Sequence, residues 1–131
     1  MAARAFAGPV CIVINGRAAE GDSRRGELEA ALGAQGLAFE FFSAASGDEM
    51  AACAARAVQR ARQEQGLVVA VGGDGTVNTV AQALQGVELP FGVLPAGTFN
   101  YFARAHALPE DAPSAVALWR EGQPQAVQAG W

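Results

Sequence analysis

Short apolar runs alternate with amphipathic stretches along this chain. Four of the runs predict strands, and the continuous β-branched ones are typical of strands buried on both faces of a sheet. The predicted strands span residues 10–14, 37–42, 67–71 and 91–94. Helices are predicted at about residues 23–35, 48–65, 98–104 and 111–121, with another that begins at Thr76. The polar, glycine-containing residues 18–25 predict a loop that runs into the first helix.

The pattern is clearest between residues 48 and 65. Apolar residues recur there at spacings of three and four, which indicates one buried helix face. These residues are Met50, Cys53, Ala54, Ala57, Val58 and Ala61. Arg56 and Arg60 fall on the opposite face and predict a solvated surface, with a binding patch as the less favoured alternative. Gly36 and Gly66 are the predicted ends of the first and second helices.

Strands that alternate with helices predict an α/β domain, a three-layer Rossmann-like fold with a parallel sheet between two layers of helices. In such folds, ligands bind beyond the carboxyl ends of the strands. Each predicted strand is followed directly by one of Asn15, Ser43, Gly72 and Pro95. We therefore expect the loops at these residues to converge at one edge of the sheet.

The amino-acid composition excludes several classes of function. The 131 residues are 51% hydrophobic and 17% charged, and the net charge is −4. These values predict one globular domain and argue against a nucleic-acid partner. All 9 basic residues are arginines, which excludes the P-loop motif that requires lysine. Cys11 and Cys53 are expected to be reduced core residues. With no signal peptide or transmembrane segment evident, we expect a cytoplasmic protein.

A glycine-rich turn between the third strand and the next helix carries the strongest chemical signal. Its candidate ligand-binding residues are Gly72, Gly73, Asp74, Gly75, Thr76 and Asn78. Glycines let the backbone approach a ligand closely, and the N–H groups that begin a helix favour phosphate. A carboxylate at Asp74 would repel phosphate unless a cation lay between them, so Asp74 indicates Mg²⁺. The alternative is an ordinary strand–helix turn in which Asp74 caps the helix.

A second turn repeats this design one strand later. Gly97, Thr98 and Asn100 follow the fourth predicted strand, and Thr98 stands at a predicted helix start. Thr98 could donate to a phosphate, and Asn100 could hold the loop or the ligand. Alone, the segment predicts an ordinary capped turn; beside the first turn, it predicts the second wall of one site.

Gly-Gly-Asp-Gly-Thr, followed about 20 residues later by Leu-Pro-Ala-Gly-Thr-Phe-Asn-Tyr-Phe-Ala-Arg, resembles the diacylglycerol kinase catalytic domain family. That family includes sphingosine, ceramide and bacterial lipid kinases. The resemblance runs from Val10 to about residue 130. The first motif also occurs in similar form in NAD kinases and phosphofructokinases, whereas the second motif at this spacing is highly specific.

The resemblance implies that residues 1–131 are an N-terminal nucleotide-binding domain with a fold like phosphofructokinase and NAD kinase. It implies a second, β-rich domain that is absent from this chain and that holds the lipid pocket and the general base. No catalytic residue is therefore expected here. Residues 72–78 would bind the triphosphate of ATP, Thr98 would add a contact, and Ser43 matches a threonine that contacts nucleotide in relatives. Thr79 and Tyr101 depart from the common Glu and Asp, and Asn15 is followed by Gly rather than Pro.

The function so implied is an ATP-dependent lipid kinase that uses Mg²⁺ and phosphorylates a lipid such as diacylglycerol. Such an enzyme would be cytoplasmic and peripheral to the inner face of the membrane, with its lipid held by the absent domain. A homodimer stays open, because the sequence does not fix the oligomeric state. Two alternative functions also stay open: a non-catalytic nucleotide-binding module, and an NAD kinase-like kinase of a soluble substrate. A dinucleotide-binding fold is disfavoured, because no G-x-G-x-x-G motif follows a strand.

Overall fold

The computed structural model describes residues 7–15, 19–44, 47–72, 74–95 and 112–120. They form strands β1 (Val10–Asn15), β2 (Phe39–Ala44), β3 (Leu67–Gly72) and β4 (Phe91–Pro95). The helices are α1 (Ala19–Ala34), α2 (Gly47–Glu64), α3 (Asp74–Ala83) and α4 (Ala112–Arg120). The predicted helix at 98–104 and the predicted cap Asp111 lie outside the described residues.

All strand pairs are parallel, and the strand order is β2-β1-β3-β4. The chain moves one way from β1 to β2 and then returns past β1 to reach β3. The topological switch point, where such sheets bind ligands, therefore lies between β1 and β3. The predicted α/β class with a parallel sheet is confirmed.

Each face of the sheet carries its own buried cluster, because successive strand side chains point to opposite faces. Cys11 and Val13 of β1 pack with helices α2 and α3. Val10, Ile12 and Ile14 pack on the other face, with α1 and α4. The six apolar positions predicted to face inward from residues 48–65 are all buried. The helices thus cover both faces of the described sheet.

Residues with positive φ and the hydrogen bonds beside them end helices α1 and α2. Gly36 has φ +69°, and the Leu37 N–H donates to the Leu32 carbonyl at 3.0 Å, so Gly36 ends α1 as predicted. At the end of α2, Gln65 rather than Gly66 adopts the left-handed conformation, with φ 57°. The Gly66 N–H closes that cap by donating to the Ala61 carbonyl at 2.8 Å.

Helix α1 and strand β2 begin at residues other than those predicted. Helix α1 begins at Ala19, although residues 18–25 predicted a loop. The polar stretch before Leu28 has no apolar periodicity to mark a face, yet a helix anchored by buried Leu28 and Leu32 extends at little cost. Strand β2 begins at Phe39 rather than at residue 37, because Leu37 belongs to the cap of α1.

Strand β4 shows how closely a helix approaches the sheet. A side chain at Gly92 would stand 2.7 Å from Nε1 of Trp119, which is itself fully buried in α4. Glycine at this position leaves room for the indole against the strand. The contact fixes α4 against β4 at the second residue of that strand.

Candidate nucleotide site

The carboxyl ends of the four strands lie at one edge of the sheet. Asn15 pairs with Ala44, Ile14 pairs with Val71, and Gly72 pairs with Pro95. The expected convergence is therefore present at the strand ends. Ser43 lies inside β2, one residue before its end and beside Ile14, rather than in the following loop.

The turn from β3 to α3 lies at the switch point. Gly72 ends β3 with φ +152°, a backbone conformation that residues other than glycine rarely adopt. A Cβ at Gly72 would stand 2.8 Å from Oγ1 and 3.0 Å from Cβ of Thr76. Helix α3 then begins at Asp74, two residues earlier than expected. Both the backbone and the packing therefore demand glycine at position 72.

The candidate residues of this turn have different surroundings. The Thr76 side chain is buried, with 8% exposed, and packs over Gly72. Gly75 and Asn78 are exposed on α3. Gly75 has no positive φ, and nothing lies within 4 Å of where its Cβ would be. The side chain of Thr76 therefore holds the turn together, while Gly75 leaves open space beside the first turn of α3.

This arrangement fits a phosphate group. The first N–H groups of α3 have no partners within the helix, and the helix dipole favours an anion at that end. Asp74, the predicted Mg²⁺ ligand, is the first residue of α3. No cluster of three metal-binding side chains occurs among the residues described.

Thr79 stands one turn into α3, and its hydroxyl donates to the Gly75 carbonyl at 2.9 Å. A hydroxyl bond to the preceding turn is a local interaction that a threonine makes within its own helix. The departure from the common Glu therefore substitutes an intrahelical bond for an acidic group beside the candidate site.

Ser43 has a partner that the sequence did not indicate. Arg25 of α1 donates from Nη1 to the Ser43 hydroxyl at 3.3 Å, and its guanidinium carbon lies 4.6 Å from the centre of the Phe41 ring. The spacing of Arg25, Leu28 and Leu32 could have revealed this contact, since positions i, i+3 and i+7 share a helix face.

The arginines of α2 lie on its solvent-exposed face, away from the candidate site. Arg56, Arg60 and Arg62 are exposed, as the predicted solvated face requires. Arg60 forms ion pairs with Glu40 of β2 at 3.2 Å and with Glu64 at 3.8 Å. Half-exposed pairs of this kind contribute about 0–1 kcal/mol to stability. They tie the last part of α2 to the second residue of the edge strand, away from the carboxyl edge.

The other predicted site residues, Gly73, Gly97, Thr98 and Asn100, lie outside the described residues. Cys11 and Cys53 are free and buried, as expected. Burial raises the pKa of the Cys11 thiol to about 11 and also raises the pKa of Cys53. Both thiols therefore stay protonated near neutral pH.

Comparison with known proteins identifies the family. Residues 9–131 match the family described as the diacylglycerol kinase catalytic domain. This chain belongs to that family. A protein of Cronobacter sakazakii named "Probable lipid kinase YegS-like" is 35% identical over 116 residues, which make up 86% of this chain and 38% of that protein. A "Diacylglycerol kinase" of Mycobacterium tuberculosis is 46% identical over 50 residues, 38% of this chain and 16% of that protein.

A solved structure of a diacylglycerol kinase from Bacillus anthracis has the same fold. It superimposes with a TM-score of 0.65 at 24% identity, over 84% of this chain and 42% of that chain. The chain thus spans less than half the length of these relatives. No described helix is both long enough and apolar enough to cross a bilayer.

Proposed function

We propose that this chain is the nucleotide-binding part of an ATP-dependent lipid kinase, which transfers the γ-phosphoryl group of MgATP to a lipid hydroxyl such as that of diacylglycerol. The observation that carries the proposal is the turn at Gly72. It joins β3 to α3 at the switch point of a chain that belongs to a lipid kinase family. A glycine-lined helix start at that place suits a triphosphate.

The residues have separate roles in this proposal. Gly72, Gly73 and Gly75 bring the backbone close to the phosphates, and the N–H groups of the first turn of α3, up to Asn78, donate to them. Asp74 holds the magnesium ion, which would neutralise charge on the phosphates when bound. Thr76 contributes its N–H, while its buried side chain holds the turn.

Ser43, Gly97, Thr98 and Asn100 form the rest of the nucleotide site. Ser43 donates from the end of β2, and the other three supply the wall that follows β4. The lipid pocket and the general base belong to the part of the protein that corresponds to the unmatched length of the relatives. Such an enzyme works at the cytoplasmic membrane surface, where its lipid lies.

The test uses a protein extended past Trp131 to the length of the relatives, with MgATP and diacylglycerol in mixed micelles. Asp74→Asn should abolish Mg²⁺-dependent formation of phosphatidic acid while leaving the thermal midpoint unchanged. Glu88→Gln removes the same charge from an exposed residue between α3 and β4, at the opposite edge of the sheet, and should stay fully active. Undiminished turnover of Asp74→Asn at saturating Mg²⁺ would refute the role of Asp74. Nucleotide binding without turnover in the unsubstituted extended protein would favour the non-catalytic module.

A further inference from the structure

Arg25 is held in place by two contacts at once. One guanidinium nitrogen donates to the Ser43 hydroxyl at 3.3 Å, and the guanidinium lies over the Phe41 ring at 4.6 Å. The Phe41 ring is itself fixed edge-on by Phe39, with centroids 5.7 Å apart. A planar cation between an aromatic face and a hydroxyl has a defined orientation, even though Arg25 is exposed.

These contacts lie at the ligand-binding edge of the sheet. Ser43 pairs with Ile14, which pairs in turn with Val71. Ser43 is therefore two strands away from β3, which corresponds to about 10 Å at the usual strand spacing. A nucleotide whose phosphates lie at Gly72 would reach Ser43 with another part of its length.

The hydrogen bond from Arg25 determines how the Ser43 hydroxyl can be used. Arginine is a donor only, so the Ser43 oxygen accepts from Arg25, and its own hydrogen is left to point elsewhere. The chain contains no lysine, and Arg60 of α2 is engaged by Glu40 and Glu64. Among the described arginines, Arg25 is the one whose contacts place it at the carboxyl edge.

We infer that Arg25 is a positioning residue for the nucleotide: it orients the Ser43 hydroxyl as a donor to an oxygen of the nucleotide. The inference rests on the proposed function, since it presumes that Ser43 faces bound ATP. It adds Arg25, which lies outside the glycine-rich motifs, to the proposed nucleotide site. It also gives a role to the contact between Arg25 of α1 and Phe41 of β2.

The test titrates the ¹⁵N-labelled 131-residue chain with MgATP and follows the amide signals by NMR. Arg25→Ala should weaken binding by about three- to tenfold, the loss expected for one hydrogen bond. Arg25→Lys keeps a donor but loses the planar fork, so it should recover part of the affinity. Arg62→Ala removes the same charge from the last turn of α2 and should bind MgATP as the unsubstituted chain does.

The double variant Arg25→Ala/Ser43→Ala distinguishes positioning from an independent contact. If Arg25 acts through Ser43, the double variant should bind no more weakly than Ser43→Ala alone. Fully additive losses, or unchanged affinity in Arg25→Ala, would overturn the inference while leaving the nucleotide site intact. Failure of the unsubstituted chain to bind MgATP would overturn the inference together with the proposed site. Equal thermal midpoints of all variants are required, so that a lost affinity is not a lost fold.

Discussion

Gly72 and Gly75 of the β3–α3 turn differ in what surrounds them. Gly72 has a left-handed backbone and no room for a Cβ beside Thr76. Gly75 has neither restriction, because it lies in a helix and faces open space. The sequence motif presents them as equivalent, whereas the structure requires glycine at position 72 and leaves space for a side chain at position 75.

Paired substitutions should separate these two requirements. Gly72→Ala should destabilise the fold by about 1–3 kcal/mol, because it combines backbone strain with a steric clash. Gly75→Val should leave the free energy of unfolding in urea nearly unchanged and should abolish MgATP binding, because its side chain would fill the phosphate space. Calorimetry on the folded variants measures the binding. Full affinity in Gly75→Val would mean that the glycine is only a helix residue.

Cys11 makes stability depend on pH. Its pKa is raised from 9.0 to about 11, chiefly by burial, with Glu40 adding to the rise. The fold therefore favours the protonated thiol. This contribution is fully present below pH 9 and is lost as the pH rises through about 11.

Urea unfolding at pH 8 and pH 10 should reveal the loss. The unsubstituted chain should lose roughly 1 kcal/mol more stability over that interval than Cys11→Val, which keeps a similar volume without a thiol. The comparison cancels the titration of Cys53 and other groups. Identical pH profiles for the two proteins would show that the Cys11 thiol is not shielded from water.

At the scale of elements, the helix caps control where strands begin. The cap of α1 draws Leu37 out of β2, and the cap of α2 places Leu67 at the start of β3, where its N–H donates to the Pro9 carbonyl at 3.0 Å. A cap that fixes the first strand residue also fixes the strand register, and with it the alignment of the carboxyl ends.

Gln65 is the weak point of these caps, since it adopts φ 57° without being glycine. Gln65→Gly should therefore raise the free energy of unfolding by about 0.5–1 kcal/mol. Gln63→Gly makes the same change two residues earlier, within α2, and should lower it by about 1 kcal/mol. Thermal denaturation monitored by circular dichroism compares the two variants. Destabilisation by both would mean that the conformation of Gln65 carries no cost.

At the scale of the whole molecule, helices cover both faces of the described sheet, and the proposed nucleotide site lies at its carboxyl edge. Buried clusters lie on both faces of the described sheet, which is what an independently folding α/β domain requires. The relatives are more than twice as long as the stretch that this chain matches. Catalysis of phosphoryl transfer needs a base near the acceptor hydroxyl and a cleft that excludes water.

We therefore expect the 131-residue chain to fold but not to turn over. It should unfold cooperatively in urea and bind MgATP weakly, because only one side of the nucleotide is held. In mixed micelles with diacylglycerol, it should form no phosphatidic acid, whereas the extended protein should. Robust product formation by the chain itself would show that the base and the lipid pocket lie within these residues.

The sequence alone determined the fold class, the order of the strands along the chain and the glycine-rich turn. These features depend on local periodicity and on residue types that only certain backbone conformations accommodate. The buried positions of α2 followed from the spacing of its apolar residues for the same reason.

Only the tertiary structure decided the start of α1, the burial of Thr76 and the contact of Arg25 with Ser43. All three depend on how the chain packs. The first turns of α1 extend from a buried part of the helix, the Thr76 side chain packs back over Gly72, and Arg25 and Ser43 are 18 positions apart in the sequence. A sequence pattern reports which residues prefer water, but the distance between two side chains is set by how the helix they share lies on the sheet. The Ser43 hydroxyl acquired its partner because Leu28 and Leu32 anchor α1 on the same face of the sheet as Phe41.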